Sequence, residues 1–303
     1  MTTAEDYQNG QILLIDKPLN WTSFQAVNKI KYALINKVGL PKKFKIGHAG
    51  TLDPLASGLL LICTGKFTKI ISELQGQAKE YTGTFYIGAT TPSYDLETEI
   101  DEKYPTSHID EGLIQKTVKQ FLGEIDQKPP IFSAIKKEGV RLYEHARAGE
   151  EVEIQTRKTT IHEFEITRIA LPEMDFRVTC SKGTYIRSLA FDFGKALHSG
   201  GYLSVLRRTK IGDYEVAKGI TPLDFEQKIN ADETGEIGPL ERLLIDKIKD
   251  IQNCKMVTQK INNKLIYTYK FEPGISEVKG GINVLTDMNY PKEIIENTIN
   301  ENN

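Results

Sequence analysis

Cysteine is scarce in this chain, and the three present do not cluster. Cys63, Cys180 and Cys254 are odd in number and far apart, and only five histidines are scattered among them. That excludes a disulfide framework and any zinc-ligand spacing, so reduced thiols in a cytoplasmic protein are expected. Long hydrophobic runs are missing as well. The longest, Leu59 to Cys63, is too short to cross a bilayer. The opening MTTAEDYQNGQ is polar and acidic where a secretory leader would be basic and then apolar. No membrane role is expected. In GLLLICTGK, Cys63 stands where a phosphate-binding loop needs its second glycine, and no G-x-G-x-x-G occurs. G-x-S-x-G, H-E-x-x-H and paired C-x-x-C are absent too, so dinucleotide, zinc and hydrolase readings lack their usual support.

What the chain does have is ordinary bulk and uneven charge. Its 303 residues, 39% hydrophobic and 26% charged, suit one large globular domain or one domain with a smaller appendage. The net charge is only -2, yet Lys29 to Lys45 holds six lysines and no acid, and Arg177 to Lys210 holds seven basic residues against Asp192 alone. Asp95 to Asp126 reverses this, with nine acids and three lysines. Two basic tracts on a near-neutral chain can form a one-sided footprint for phosphates, or simply two solvated faces.

Periodicity mixes strands and helices without a strict βαβ alternation. QILLID (11–16) and GLLLIC (58–63) read as buried strands, and KEYTGTFYIGA alternates with Tyr81, Phe85 and Ile87 on one face. Ser23 is expected to cap a helix carrying Val27, Ile30 and Leu34, followed by a basic loop, KVGLPKKFKIG. Asp110 is expected to cap a second helix closed by Gly123, and a third is expected from about Tyr185 to Leu197. EVEIQ, FEITRI and DFRVTC, between Glu151 and Cys180, read as antiparallel strands. The pattern predicts an α+β fold with a mixed, largely antiparallel sheet flanked by helices. The character changes after about residue 224, so the expected division is 1–224 and a C-terminal appendage or tail, 225–303.

Two stretches carry chemistry. GHAGTLDPLASGLLL (47–61) places Asp53 in a glycine-punctuated loop that runs straight into a buried strand. Read alone, Asp-Pro and the glycines can simply shape a tight connection. A carboxylate there is nevertheless costly to desolvate without a compensating cation or hydrogen bonds, and an ionised carboxylate suits a nucleophile or base. CSKGTYIRSLAFDFGKAL (180–197) puts Tyr185 and Arg187 at the start of a helix, where an arginine does not suit the helix dipole and needs another partner.

GHAGTLDPLASGLL, with DKP (16–18) before it and KEYTGTFYIG, FSAIK, RLYEHAR, CSKGTYIR and LRR after it, resembles the bacterial TruB-type tRNA pseudouridine synthases in order from about residue 11 to about 215. The resemblance implies the pseudouridine-synthase fold. It also implies conversion of uridine-55 in the TΨC loop of tRNA to pseudouridine, without a cofactor or metal. It makes Asp53 the nucleophile, Arg187 its partner and Tyr81 the residue packing on the target uracil. His48 is implied to fill the space the base leaves, Tyr185 and Leu206 to contact substrate, and Lys17 to support the catalytic segment. An extruded base calls for an aromatic platform, a filler and phosphate contacts. Lys42, Lys43, Lys45, Arg207 and Arg208 are the candidates for the RNA backbone. In PLNWT (18–22), Asn20 and Trp21 occupy a zone where the family usually has a glycine, and asparagine tolerates unusual backbone angles. Residues 225–303 do not match the RNA-binding PUA domain that ends many family members. The expected partner is the T-arm of tRNA, with a monomer and no protein partner implied. The alternatives are a non-catalytic RNA-binding or folding helper on the same scaffold, or a synthase for another RNA uridine.

Overall fold

The apolar run Leu59–Cys63 is covered on both faces, by two separate clusters of buried residues. The computed structural model describes residues 2–132, 136–137, 140–141, 154–234, 254–261 and 264–273. The chain begins with helix α1 (Ala4–Asn9), strand β1 (Ile12–Lys17), α2 (Ser23–Lys37), β2 (Ile46–His48) and β3 (Ala56–Thr64). Next come α3 (Ile71–Gly76), β4 (Lys79–Ile87), β5 (Ala89–Thr90), β6 (Glu102–Lys103), α4 (Glu111–Gln120) and β7 (Gly123–Gln127). A small hairpin of β8 (Lys136–Lys137) and β9 (Val140–Arg141) precedes β10 (Arg157–Ala170) and β11 (Glu173–Cys180). Helix α5 (Ile186–Ala196), β12 (Gly201–Ile211), β13 (Tyr214–Glu215) and α6 (Pro222–Thr234) follow. The chain divides into two compact units, Met1–Glu233 and Thr234–Asn303, and the second contains the antiparallel pair β14 (Cys254–Ile261) and β15 (Lys264–Pro273).

Nine strands of the first unit form one sheet in the order β1-β3-β12-β4-β11-β10-β7, with β2 on β3 and β13 on β12. Its pairs are antiparallel except β3 with β12. This is the mixed, largely antiparallel sheet that the sequence pattern predicts. Along β3, Leu60 and Ile62 enter a cluster with Ile15, Ile30 and Phe225, while Leu59, Leu61 and Cys63 enter another with Ala49, Leu74 and Ile211. Double coverage is why this strand reads as an unbroken apolar run. On β4, Tyr81, Phe85 and Ile87 share one buried face with Phe176 of β11 and with Leu189 and Phe193 of α5. Phe85 stacks on Phe176 with ring centroids 4.0 Å apart and meets Phe193 at 5.8 Å. Such aromatic pairs add about 0.5–1.5 kcal/mol each beyond their area burial.

Local signals hold at several ends and shift at others. Asp110 caps α4, accepting from the Leu113 N–H at 2.7 Å. The cap of α2 is Thr22, not Ser23. The Thr22 hydroxyl accepts from the Gln25 N–H at 3.1 Å, and the Gln25 side chain accepts from the Thr22 N–H at 2.7 Å. That frees Ser23 for the partner described below. FEITRI and DFRVTC lie in β10 and β11, whereas residues 151–153 of EVEIQ lie outside the described residues. The boundary expected at residue 224 falls inside α6, because Phe225 and Ile229 are buried against Ile15 and Ile30 of the first unit. Among the described residues no helix is long and apolar enough to cross a membrane.

Asp192 on α5 is a measurable electrostatic liability. Burial pushes its carboxyl pKa up to about 6 from 3.8, with only Lys195 opposing. A raised folded-state value means this group's contribution is fully present below about pH 4 and is lost as pH rises through 6. After discounting for partial solvation, the cost at neutral pH is about 1–2 kcal/mol. Asp192→Asn should therefore raise the melting temperature at pH 7.5 by about 2–6 °C and lose that advantage at pH 4, as read by calorimetry.

Candidate active site

Asp53 sits on the loop between β2 and β3, and four separate elements hold that loop. The Ala49 N–H donates to Leu61 O of β3 at 2.8 Å. From α2, the buried Ser23 hydroxyl accepts from the Leu52 N–H at 2.9 Å and donates to Leu52 O at 3.1 Å. The Asn20 N–H donates to Pro54 O at 2.8 Å. Asn20 adopts φ 64°, the left-handed conformation that a glycine would otherwise supply. Lys17 is fully buried and donates to Pro18 O at 2.9 Å and Trp21 O at 2.6 Å, tying down the turn that presents Asn20. Burial pushes the Lys17 pKa down to about 8, with Asp53 opposing and Arg208 reinforcing the shift.

From β12, Arg208 donates to Leu59 O at 2.7 Å, Gly50 O at 3.1 Å and Thr51 O at 3.5 Å. Its backbone faces Gly58 in the parallel pair, where φ is +104° and an added Cβ would lie 2.3 Å from Arg208 O. Only a glycine allows that approach. Within the loop, the Ala56 N–H donates to Asp53 O at 3.0 Å, closing a turn with Pro54 at its second position.

The carboxylate of Asp53 lies 3.0 Å from Nη2 of Arg187, with the aspartate 43% exposed and the arginine 6%. Arg187, in the first turn of α5, has the partner that its position against the helix dipole calls for. It has a second: Asp95 approaches Nε at 3.5 Å and is itself buried. Nη1 donates to Phe132 O at 2.9 Å and, more weakly, to Ser93 O at 3.4 Å. Burial raises the Asp95 pKa, while the Arg187 charge, the Ser93 hydroxyl and the Glu97 N–H pull it back. The start of α5 is fixed by the buried Gln127 side chain, which accepts from the Tyr185 N–H at 2.8 Å and donates to Tyr185 O at 3.0 Å.

A cleft of about 540 Å³ opens at Asp53, and Tyr81, Tyr185, Arg187, Leu206 and Arg208 are among the residues that line it. That volume exceeds a single nucleobase and leaves room for its ribose and flanking atoms. His48 and Lys17 are outside the lining. His48 lies on β2 opposite Ile62, and its pKa is lowered by burial and by Arg208, with the Gly50 backbone opposing. Lys42, Lys43 and Lys45 project into solvent around the buried Phe44, also outside the cleft. One expectation needs correction. Arg208 is only 1% exposed, with its guanidinium committed to loop carbonyls, so it is not a surface phosphate contact. Arg207 forms a bidentate pair with Asp16, at 2.7 and 3.0 Å, and keeps 39% of its side chain exposed.

Sequence reasoning missed Asp95, Gln127 and Ser23. Asp95 lies in a tract read only as acidic, and neither Gln127 nor Ser23 carries a motif. Among the described residues no three His, Cys, Asp or Glu side chains converge to hold a metal ion. What the arrangement provides is a carboxylate in the lining of a cleft, held by a buried arginine, with an aromatic ring and a leucine in the same lining.

The large mixed sheet with flanking helices is the α+β fold expected of a pseudouridine synthase, and comparison with known proteins shows that class. Residues 37–186 match the model for the TruB family of pseudouridylate synthases, N-terminal domain. A Flavobacterium johnsoniae protein named tRNA pseudouridine synthase B is 81% identical over 227 residues, covering 75% of this chain and 99% of its own length. The chain belongs to the TruB family. A Phocaeicola vulgatus protein of the same name is 50% identical over 232 residues, covering 77% of this chain and 98% of its own. A chain in the structure of an H/ACA RNP bound to a substrate RNA containing 2'-deoxyuridine aligns with a TM-score of 0.56 and 27% identity, over 77% of this chain and 57% of that one.

The second carboxylate gives a direct test of how Arg187 is held. Asp95→Asn keeps an acceptor for the Glu97 N–H and removes one of the two negative charges on Arg187. Single-turnover rates should fall about tenfold, with the KM for tRNA held within about twofold, because the loss is in orientation of the reacting groups.

Proposed function

We propose that this protein is a tRNA pseudouridine synthase that isomerises uridine-55 in the TΨC loop, with Asp53 as nucleophile. The observation that carries the reading is the 3.0 Å pair of Asp53 with a buried Arg187 at the mouth of a cleft large enough for a nucleoside. In the reaction the N1–C1′ bond breaks, the uracil turns, the C5–C1′ bond forms, and the proton lost from C5 is balanced by one gained at N1. An ionised carboxylate suits attack on the bound nucleotide, and fixing its orientation lowers the barrier without any cofactor step. Tyr81 offers a ring face to the extruded uracil, and Tyr185 and Leu206 bound the same pocket. His48 fills the gap left in the RNA, with burial favouring its neutral form. The exposed lysines Lys42, Lys43 and Lys45 take the phosphate backbone, which makes binding salt-dependent.

Residues 1–233 form the catalytic unit, and residues 234–303 are an appendage outside the chemistry. Each group invoked in the chemistry comes from one chain, which supports action as a monomer. The buried free thiols Cys63 and Cys180 support a cytoplasmic setting.

Tritium release from [5-³H]uridine-labelled tRNA should be seen with the wild type and be undetectable with Asp53→Asn, with tRNA affinity preserved in the variant. Mapping of the product should place pseudouridine in the T-loop. Binding without release by the wild type would favour a non-catalytic RNA-binding protein instead.

A further inference from the structure

Arg208 is buried to 1% exposure, yet among the described residues it forms no ion pair with a carboxylate. Its three hydrogen bonds go to backbone carbonyls, and two of those, Gly50 and Thr51, belong to the loop that carries Asp53. Burying a guanidinium without a counter-ion is unfavourable unless its protons are taken up and its charge serves a nearby anion. The charge does not balance its own surroundings. Lys17 of β1, His48 of β2 and Lys79 of β4 all face it, and it makes protonation of each harder. Across the β12–β4 pair Arg208 stands directly opposite Tyr81, and both line the cleft together with Asp53. Its charge favours ionisation of the Tyr81 phenol, against the opposing effect of burial. Arg208 therefore bonds the loop that carries Asp53 and neighbours the aromatic residue across the sheet.

We propose that Arg208 is a positioning residue for the isomerisation, which locks the Asp53 loop in register with β12 and holds the Tyr81 hydroxyl against the same cleft. This rests on the roles given above to Asp53 and Tyr81. It also accounts for the glycine at position 58. Gly58 pairs with Arg208, and an added Cβ there would lie 2.3 Å from Arg208 O, so the side chain reaches the loop from a backbone set close against β3.

The test compares Arg208→Gln, which keeps hydrogen bonding without charge, and Arg208→Lys, which keeps charge without the fork. The readouts are single-turnover tritium release, tRNA affinity, thermal melting, and ¹⁹F titration of 3-fluorotyrosine installed at position 81. Arg208→Gln should lose about a hundredfold in rate at a tRNA affinity within about twofold of wild type. Its fluorotyrosine should titrate at higher pH, since the cation that eases phenol ionisation is gone. Arg208→Lys should recover part of the rate and titrate near the wild-type position. Equal rate losses in both variants with an unmoved titration would reduce Arg208 to scaffold and overturn the proposal, as would an unchanged rate in folded Arg208→Gln. If Arg208→Gln melts below the assay temperature, Arg208→Lys decides: partial activity supports the proposal, and a loss above about a hundredfold with a wild-type titration overturns it. The ¹⁹F readout needs no turnover, so failure of the synthase assignment, seen as no release by the wild type, remains distinguishable.

Discussion

A guanidinium taken out of water must be surrounded by acceptors, and the site is built around meeting that demand for Arg187. Its partners come from three stretches distant in sequence: Asp53 from the β2–β3 loop, Asp95 and Ser93 from the segment after β5, and Phe132 O after β7. Each can be in place only if the strands behind it are paired correctly. A buried charge left without those partners would cost several kcal/mol, an appreciable fraction of a domain's stability. Folding and assembly of the site are thus one event, and Asp53 is oriented by the same contacts that make the core tolerable to Arg187.

The second constraint is the parallel junction of β3 and β12. It is the one non-antiparallel pairing of the large sheet, and it sets Leu206, Arg207 and Arg208 beside Ala56, Ser57 and Gly58. A parallel pair needs a long crossover, and here the intervening chain supplies β4, β7, β10 and α5, each of which contributes residues to the lining of the cleft. Tyr81 reaches the pocket from β4 because β4 pairs with the other edge of β12. Asp53 on the loop before β3, Arg187 at the start of α5 and Tyr81 on β4 are therefore brought to one cleft over the sheet.

Charge has two distinct uses in this protein. The lysines around Phe44 are exposed, whereas Arg187 and Arg208 are used internally, on carboxylates and carbonyls. Near-zero net charge conceals this division. Lysine suits the outer role because its ammonium is mobile and strongly hydrated, and arginine suits the inner one because its fork satisfies several acceptors at once.

Much of this was legible in the sequence because it is local or periodic. The apolar run of β3, the alternation of β4, the cap at Asp110 and the motif around Asp53 depend on neighbours within a few residues, and so did the need of Arg187 for a partner other than the helix dipole. The sequence by itself determined the strand-and-helix plan and the glycine-punctuated loop that carries Asp53 into β3. Tertiary structure alone decided that Asp95 shares Arg187, that Ser23 brackets Leu52 instead of capping α2, and that α6 belongs to the first unit. It also decided that of two adjacent arginines, Arg207 pairs with Asp16 and Arg208 enters the core. Alternation along β12 sends neighbouring side chains to opposite faces, and which face is buried depends on strands far away in the chain.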